Sequence, residues 1–187
     1  MTKQNGAYYD ENYLRQGSPT NTTFAESLPR WLCGTDNAIA ATGVCHATAV
    51  PLQAGDVVTS ITFVTGGTAA GTPTAGFAAL YSPAGALLAQ TADFTTTARA
   101  ANTAYKVTLA TAQLITTAGL YYVVVSFTAT TVPTLRGVST GNAVVAGTIG
   151  LSAPVLAQTH GAAVGAVAPA TIATPTTVAT PCYFALT

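Results

Sequence analysis

Short segments rich in Thr and Val, separated by Gly and Pro, make up most of this sequence from about residue 44 onward. In residues 57–64, VVTSITFV, and in residues 77–81, FAALY, the residues alternate between two faces at a period of two. Thr and Val suit the pleated surface of a sheet, and this period is typical of β-strands. Turn signals recur roughly every 8–15 residues, close to the spacing found in all-β sandwiches and barrels. The pattern therefore predicts a chain of short β-strands.

Two segments predict particular elements of this β-structure. Residues 82–85, SPAG, carry Pro at the second and Gly at the fourth position of a type I turn, so we expect a β-hairpin there. Residues 120–128, LYYVVVSFT, are apolar at successive positions, which predicts a central strand that is buried on both faces. Further short strands are expected near residues 45–50, 134–139 and 143–149, and residues 181–186 supply a last strand that closes the chain.

The abundance of Ala does not change this assignment. Ala is the strongest helix former, and the 187 residues include 37 Ala and 35 Thr. Thr, Gly and Val dilute the Ala residues, and the Glu, Lys and Leu that usually accompany them are missing at helical spacing. Residues 111–114 are the only weak helical candidate. We therefore predict an all-β fold over residues 37–187, an antiparallel β-sandwich, with the jelly roll among the arrangements that fit.

Charged residues are scarce and unevenly placed. Only 6% of the residues are Asp, Glu, Lys or Arg, against about 25% in an ordinary soluble domain, and the formal net charge is zero. Six scattered cations cannot form the basic footprint of a nucleic-acid-binding protein, so we expect no nucleic acid partner. Seven of the twelve charges lie in residues 1–36, and none follows Arg136.

Residues 1–36 also carry five aromatic side chains and show no sustained period. A flexible, solvated tail rarely keeps so many aromatics, so we interpret these residues as an irregular N-terminal arm. The arm either docks on a neighbouring subunit or packs back on its own domain. The candidate docking contacts are its aromatic residues, Tyr8, Tyr9, Tyr13, Phe24 and Trp31.

Residues 150–180 are uncharged and form too long a stretch for an ordinary connection. The apolar residues 143–173 do not predict a membrane-spanning helix, because Pro154, Gln158, His160 and Pro169 interrupt them, and we expect no membrane partner. No apolar run follows Lys3, which argues against a secretory signal. Surfaces without charge are typical of subunit interfaces, and we expect this stretch to be buried against another copy of the chain.

Residues 137–141, GVSTG, match the G-x-S-x-G pattern of hydrolases, in which the serine is followed along the chain by an acid and then a histidine. His160 follows Ser139, but no Asp or Glu occurs after Asp93, so the triad cannot be completed in that order. A carboxylate pair for sugar hydrolysis is equally unsupported, because Asp56 and Asp93 are the only acids in the β-rich region. We expect no enzymatic activity and no cofactor.

The cysteine and histidine residues do not predict a metal centre. Cys33, Cys45, Cys182 and the two histidines show neither C-x-x-C nor H-x-x-x-H spacing. Cys45 and His46 are adjacent, so a regular strand would point them to opposite faces. Cys33 and Cys45 can pair as a disulfide, although buried reduced thiols are the simpler interpretation of an odd cysteine count.

A glycan-binding β-sandwich module is a rival from a different functional class. Such a module would bind sugars through exposed aromatic side chains, and most of the candidates fall at strand positions that we expect to be core. The candidates are Phe63, Phe77, Tyr105, Tyr121, Tyr122 and Phe127.

In its arm, in LPRW at residues 28–31, in PLQAGDVVTSITFV at 51–64 and in TTAGLYYVVVSF at 116–127, the chain resembles a family of virion proteins. These are the small Ala/Thr-rich β-sandwich structural proteins of tailed bacteriophages that infect actinobacteria. The resemblance covers residues 28–128. It implies a structural protein present in symmetrically arranged copies, with no catalytic residues to carry over.

The resemblance implies a non-enzymatic capsid decoration protein that is assembled in the host cytoplasm and resides in the virion. Residues 1–36 would then anchor the chain to the major capsid or tail protein. The sandwich would form a homo-oligomer, with a trimer as the first expectation, through uncharged apolar surfaces. A minor tail or tail-fibre protein is the alternative within this class.

Overall fold

The computed structural model describes residues 23–39, 41–95, 98–139 and 155–187. Tyr8, Tyr9, Tyr13 and the strand expected at residues 143–149 lie outside these ranges. Within them one 3₁₀ turn, Arg30–Leu32, accompanies twelve strands. The strands are β1 (Ala25–Glu26), β2 (Thr35–Ala38), β3 (Cys45–Leu52), β4 (Val57–Val64), β5 (Gly71–Tyr81), β6 (Leu87–Gln90), β7 (Ala104–Leu114), β8 (Gly119–Thr131), β9 (Thr134–Gly137), β10 (Ala157–His160), β11 (Thr176–Thr177) and β12 (Phe184–Leu186).

Two antiparallel sheets pack face to face, so the predicted β-sandwich is confirmed. The larger sheet has the order β11-β10-β3-β8-β5-β6, and the smaller sheet has the order β1-β12-β4-β7. Strands β2 and β9 form a separate antiparallel pair. The chain crosses between the two main sheets from β3 to β4, from β4 to β5, from β6 to β7, from β7 to β8 and from β11 to β12. The jelly-roll arrangement stays a prediction.

The main core lies between the sheets and is built from their inward-facing apolar side chains. Phe63 of β4 packs edge-on against Phe127 of β8, with ring centroids 5.8 Å apart, and Phe94 completes the aromatic group. Aromatic pairs at such spacing stabilise a core by about 0.5–1.5 kcal/mol beyond the area that they bury. Fully buried aliphatic members of the same core are Val50, Leu52, Val58, Ile61, Leu80, Val123, Val125, Leu135 and Leu186.

Strand β8 is central, as predicted, and both of its faces are covered. It pairs with β3 on one side and with β5 on the other. Val123 and Val125 face the main core, while Val124 belongs to a second apolar cluster on the outer face of the larger sheet. A strand buried on both faces reads as a continuous apolar run, which is what the sequence displays.

Residues 161–172, which we call the strap, cover that outer face. The Val164 N–H donates to the Gly43 carbonyl at 2.8 Å, and the Leu87 N–H donates to the Ala170 carbonyl at 2.9 Å. Between these two anchor points the Tyr81 hydroxyl donates to the Pro169 carbonyl at 2.6 Å. Much of the uncharged stretch that we expected at a subunit interface therefore packs on its own sheet.

The predicted hairpin at residues 82–85 is confirmed. The Gly85 N–H donates to the Ser82 carbonyl at 2.9 Å, and β5 pairs with β6 on either side of this turn. The weak helical candidate at residues 111–114 is wrong. These residues end β7, where Leu114 pairs with Val57 of β4. Pairing with a neighbouring strand overrides the modest helical preference of so short a segment.

A β-bulge corrects the predicted facing of β4. The N–H groups of Thr59 and Ser60 both donate to the Thr187 carbonyl, at 2.7 and 2.9 Å. Two residues thus oppose one, which shifts the alternation by one position. Val58 is buried before the bulge and Ser60 within it, whereas Ile61 and Phe63 are buried after it. The odd-numbered residues therefore share the inward face only in the second half of the strand. The last strand, β12, lies between β1 and β4 and closes the smaller sheet, as expected.

The replacement Gly137→Ala tests the close approach of β9 to the C-terminal segment. A methyl group at Gly137 would lie well inside van der Waals contact of the Pro181 carbonyl oxygen, and a backbone atom cannot rotate away. We expect a loss of about 1–3 kcal/mol in the free energy of unfolding, measured by urea denaturation. The control is Gly34→Ala, where no atom lies within 4 Å and stability should change by less than about 0.5 kcal/mol. Equal effects of the two variants would contradict this packing.

Candidate functional site

The 3₁₀ turn Arg30–Leu32 presents an apolar pair to solvent. Trp31 is 65% exposed and Leu32 is 58% exposed, although large apolar side chains are usually buried. Elsewhere in the described residues the exposed large apolar side chains are Val57, Leu114 and Val167. Trp31 and Leu32 are the consecutive pair in this group, and Trp31 is the single tryptophan of the chain. We call residues 30–32 the docking turn.

A fully buried carboxylate holds the docking turn in place. Glu26 of β1 accepts a hydrogen bond from Arg30 Nε at 2.9 Å and another from Arg30 Nη2. The Tyr183 hydroxyl donates to the same Oε1 atom at 3.1 Å. Burial, together with the neighbouring Glu26 carboxylate, raises the pKa of Tyr183 to about 12, so this hydroxyl stays protonated and remains a donor. The turn is therefore fixed to both β1 and the segment that leads into β12.

The two described docking candidates differ in their surroundings. The Phe24 N–H donates to the Leu186 carbonyl at 3.0 Å, and its ring packs partly buried against the main core. Trp31 faces solvent instead. In addition, β1 pairs with β12 and β2 pairs with β9, so residues 25–38 are integrated into the sandwich. The docking turn is thus attached to the domain surface by hydrogen bonds and lies between two paired strands, at the end of the predicted arm.

The structure brings together Cys182 and His46, which lie 136 residues apart in the sequence. His46 Nε2 lies 2.9 Å from the Thr180 carbonyl oxygen and 3.6 Å from Cys182 Sγ. Because a carbonyl oxygen only accepts hydrogen bonds, Nε2 carries the ring proton. The Cys182 N–H in turn donates to Thr48 Oγ1 at 3.0 Å. No local spacing in the sequence signals this contact, which arises from the packing of the C-terminal segment against β3.

This pair is not an activated nucleophile. Burial raises the pKa of Cys182 to about 12, and the nearby Asn37 side chain offsets only part of that effect. Burial also lowers the pKa of His46. A thiol and a neutral imidazole result, whereas nucleophilic cysteines react as thiolates in accessible, electropositive surroundings. Cys182 and His46 act as packed core groups.

Cys45 lies on the opposite face of β3 from His46, as the alternation of a strand predicts. It belongs to the outer cluster under the strap, where burial raises its pKa to about 12. Cys33, Cys45 and Cys182 are all free thiols, so the Cys33–Cys45 disulfide is not formed. Within the described ranges, no group of three or more His, Cys, Asp or Glu side chains is placed to hold a metal ion.

The acidic residues considered for catalysis cap turns. Asp56 Oδ2 accepts the Gln53 N–H at 2.7 Å, and Asp93 Oδ1 accepts the N–H groups of Gly76 and Thr95 at 3.1 and 3.0 Å. Asp residues commonly satisfy backbone donors in this way. Ser139 is exposed just after β9, whereas Thr140 and Gly141 of the same motif lie outside the described residues.

Most aromatics of the sandwich are core residues and cannot stack on a sugar. Phe63, Phe77, Tyr121 and Phe127 are buried. Tyr105 is half-buried and lines a shallow cavity of about 290 Å³. The Arg99 guanidinium lies between the rings of Phe94 and Tyr105 at this cavity, 4.6 Å from each centroid, so the aromatic faces there are already occupied.

Comparison with known proteins adds no relative to this picture. No protein-family model, no curated protein and no solved structure matches the chain. Among the described residues, no helix has the length and apolarity needed to cross a membrane.

Thiol labelling tests the assignment of the cysteines as packed core groups. In the native protein at pH 8, we expect maleimide to modify Cys33 slowly, because this half-buried thiol has a pKa raised by burial to about 11. Cys45 and Cys182 should react only after denaturation in guanidinium, which exposes all three. Intact-mass spectrometry counts the adducts. Rapid native labelling of Cys182, blocked by Cys182→Ser, would contradict the assignment.

Proposed function

We propose that this chain is a non-enzymatic structural subunit of a virion, a capsid decoration protein that docks through its N-terminal arm. The observation that carries the proposal is the exposed pair Trp31 and Leu32 on a braced turn at the end of that arm. The resemblance of residues 28–128 to virion β-sandwich proteins is the reason for proposing that this surface functions in a virion. Arg30 and Trp31 belong both to LPRW, residues 28–31, on which part of the resemblance depends, and to the docking turn.

The chemistry of the docking turn suits a binding hot spot. A tryptophan buries about 150–250 Å² when covered, and Trp is among the residues most enriched at interface hot spots. Leu32 extends the apolar area next to it, and the Arg30 guanidinium, half exposed, contributes a polar rim. A partner that covers Trp31 and Leu32 would gain apolar burial at about 25 cal/mol per Å².

The hydrogen bonds that Glu26 makes to Arg30 and Tyr183 favour tighter binding of a partner at the docking turn. Because Glu26 and Tyr183 fix the turn before any partner binds, docking needs little further loss of conformational entropy. The partner we propose is the major capsid protein, with tail proteins as the alternative for a minor tail or tail-fibre role.

The scarcity of charge supports the second half of the proposal, self-association of the sandwich. The exposed positions of β7 are uncharged except for Lys106, and they are otherwise Ala104, Thr108, Ala110, Thr111, Ala112 and Leu114. Depletion of charge is the compositional mark of interface cores. We propose a homo-oligomer, a trimer in the first instance, formed through such uncharged surfaces.

Replacement of Trp31 tests the docking site. In co-sedimentation of the full-length chain with capsids assembled from the major capsid protein, we expect Trp31→Ala to weaken binding at least tenfold, about 1.4 kcal/mol. The matched control is Val167→Ala, which removes a side chain that is 71% exposed on the strap and should leave binding unchanged. Both variants should retain the stability of the parent. Undiminished binding of Trp31→Ala would contradict the proposed site.

The oligomer should be nearly indifferent to salt. Few charges are available for a subunit interface, and apolar burial is not screened by ions. We expect the dissociation constant, measured by sedimentation velocity, to change less than about threefold between 50 and 500 mM NaCl. A steep loss of assembly between low and moderate salt would show that ion pairs hold the subunits together and would refute the apolar interface.

A further inference from the structure

The C-terminal part of the larger sheet is attached through shorter strand pairings than the central ladders of that sheet. Residues 156–180, which we call the flap, comprise β10, the strap and β11. Strand β10 pairs over four residues with β3, and β11 pairs over two residues with β10. The strap crosses the outer face as irregular backbone, joined to the rest of the domain by individual hydrogen bonds and one isolated β-bridge, Ala86–Thr171, and not by a continuous strand ladder. Segments with so little pairing open locally more readily than long central ladders such as β5–β8.

Both histidines of the chain lie where the flap meets the sheet. In the β3–β10 pair, His46 of β3 is opposite Thr159, and His160 of β10 is opposite Cys45. Each imidazole is almost fully buried. The two rings lie on opposite faces of this pair, since His46 contacts Cys182 of the main core and His160 contacts the Tyr81 ring of the outer cluster.

Neither ring is prepared to accept a second proton. Nδ1 of His46 and Nε2 of His160 are buried and have no hydrogen-bond partner among the described residues. The groups that face His46 are the Thr180 carbonyl and the Cys182 thiol, and those that face His160 are the Tyr81 ring and, across the strand pair, Cys45. In the described part of the chain, no carboxylate or cation contacts either imidazole. A proton added to either ring would create a buried charge without a counterion, which is costly.

We propose that the flap is an acid-sensitive cover, which protonation of His46 and His160 releases from the sheet. Release detaches the Thr180 carbonyl from His46, separates β10 from β3 and lifts the strap. It uncovers the apolar outer face of the larger sheet, including Phe77, Tyr81 and Val124. The main core between the two sheets stays closed. An apolar surface that appears only in acid would provide this protein with a conditional second binding surface, distinct from the docking turn.

The direction of the pH dependence follows from linkage. Burial lowers the pKa of both rings below the ordinary value of 6.5 while the flap is closed, and opening restores that value. The closed flap is therefore fully stable above pH 6.5 and loses stability as the pH falls below it. Between pH 7.5 and pH 5.0 the opening equilibrium should rise by about 30-fold for each histidine that stays neutral in the closed form.

Hydrogen–deuterium exchange at pH 7.5 and pH 5.0, corrected for intrinsic exchange rates, tests the proposal. We expect β10 and the strap to lose protection at pH 5.0 by at least 30-fold, including the amides of Val164 and Ile172, which donate to the body of the domain. Strand β8 should keep its protection, and binding of an apolar dye should increase over the same pH range. Equal loss of protection in β8 would indicate global unfolding and overturn the proposal, as would a flap whose protection does not change.

The double variant His46→Gln, His160→Phe is the control. Gln can still donate to the Thr180 carbonyl, Phe fills the apolar site beside Tyr81, and the chain then contains no histidine. Its flap should remain protected at pH 5.0. Persistent acid opening would refute the role of the histidines. Should this variant not fold, an NMR titration of the two imidazoles in the parent decides the question, because rings that titrate near pH 6.5 with the flap still protected would overturn the proposal.

Discussion

The fold depends on the need to cover both faces of β8. This strand is apolar at successive positions and lies in the middle of the larger sheet. An ordinary two-layer sandwich covers one face of each sheet and leaves the other to water. Here the smaller sheet covers one face of β8, and the strap covers the other. The third layer explains why the long uncharged stretch near the C-terminus carries Ala, Val and Ile among its Gly and Pro residues.

The C-terminal segment also organises the smaller sheet. Strand β12 joins β1 to β4, and the Thr187 carbonyl accepts both N–H groups of the bulge in β4. The same segment supplies the Tyr183 hydroxyl that supports Glu26 below the docking turn. The exposed Trp31 therefore depends on contacts with residues about 150 positions away in the sequence, which ties the proposed docking surface to the folding of the whole domain.

Local patterns were sufficient for some elements and insufficient for others. The hairpin at Ser82–Gly85 and the central strand β8 follow from turn residues and apolar periodicity, which act over a few residues. The bulge at Thr59 and Ser60 does not, because it is determined by the carbonyl of Thr187 from a distant strand. For the same reason residues 111–114 are a strand, since their partner in β4 and not their composition decides their conformation. The apolar residues of the C-terminal stretch were visible in its composition, but the outer face of the larger sheet, on which Val164, Ala168 and Ile172 pack, was not.

The candidate site likewise combines a feature that the sequence predicted with contacts that only the structure reveals. Trp31 was predicted as a docking contact because aromatics are unusual in an arm. The hydrogen bond from the Tyr183 hydroxyl to Glu26, which helps to hold the turn carrying Trp31, could not be predicted, because it joins distant parts of the sequence. The scarcity of charge led us to expect no nucleic acid partner, and it also characterises the exposed positions of β7 that we propose for self-association. Quantitative mass spectrometry of purified phage particles, which counts copies of this chain per particle, tests the central claim most directly. The proposal of a capsid decoration protein predicts hundreds of copies. Absence from the particle, or a few to a few dozen copies as in a tail, would contradict it.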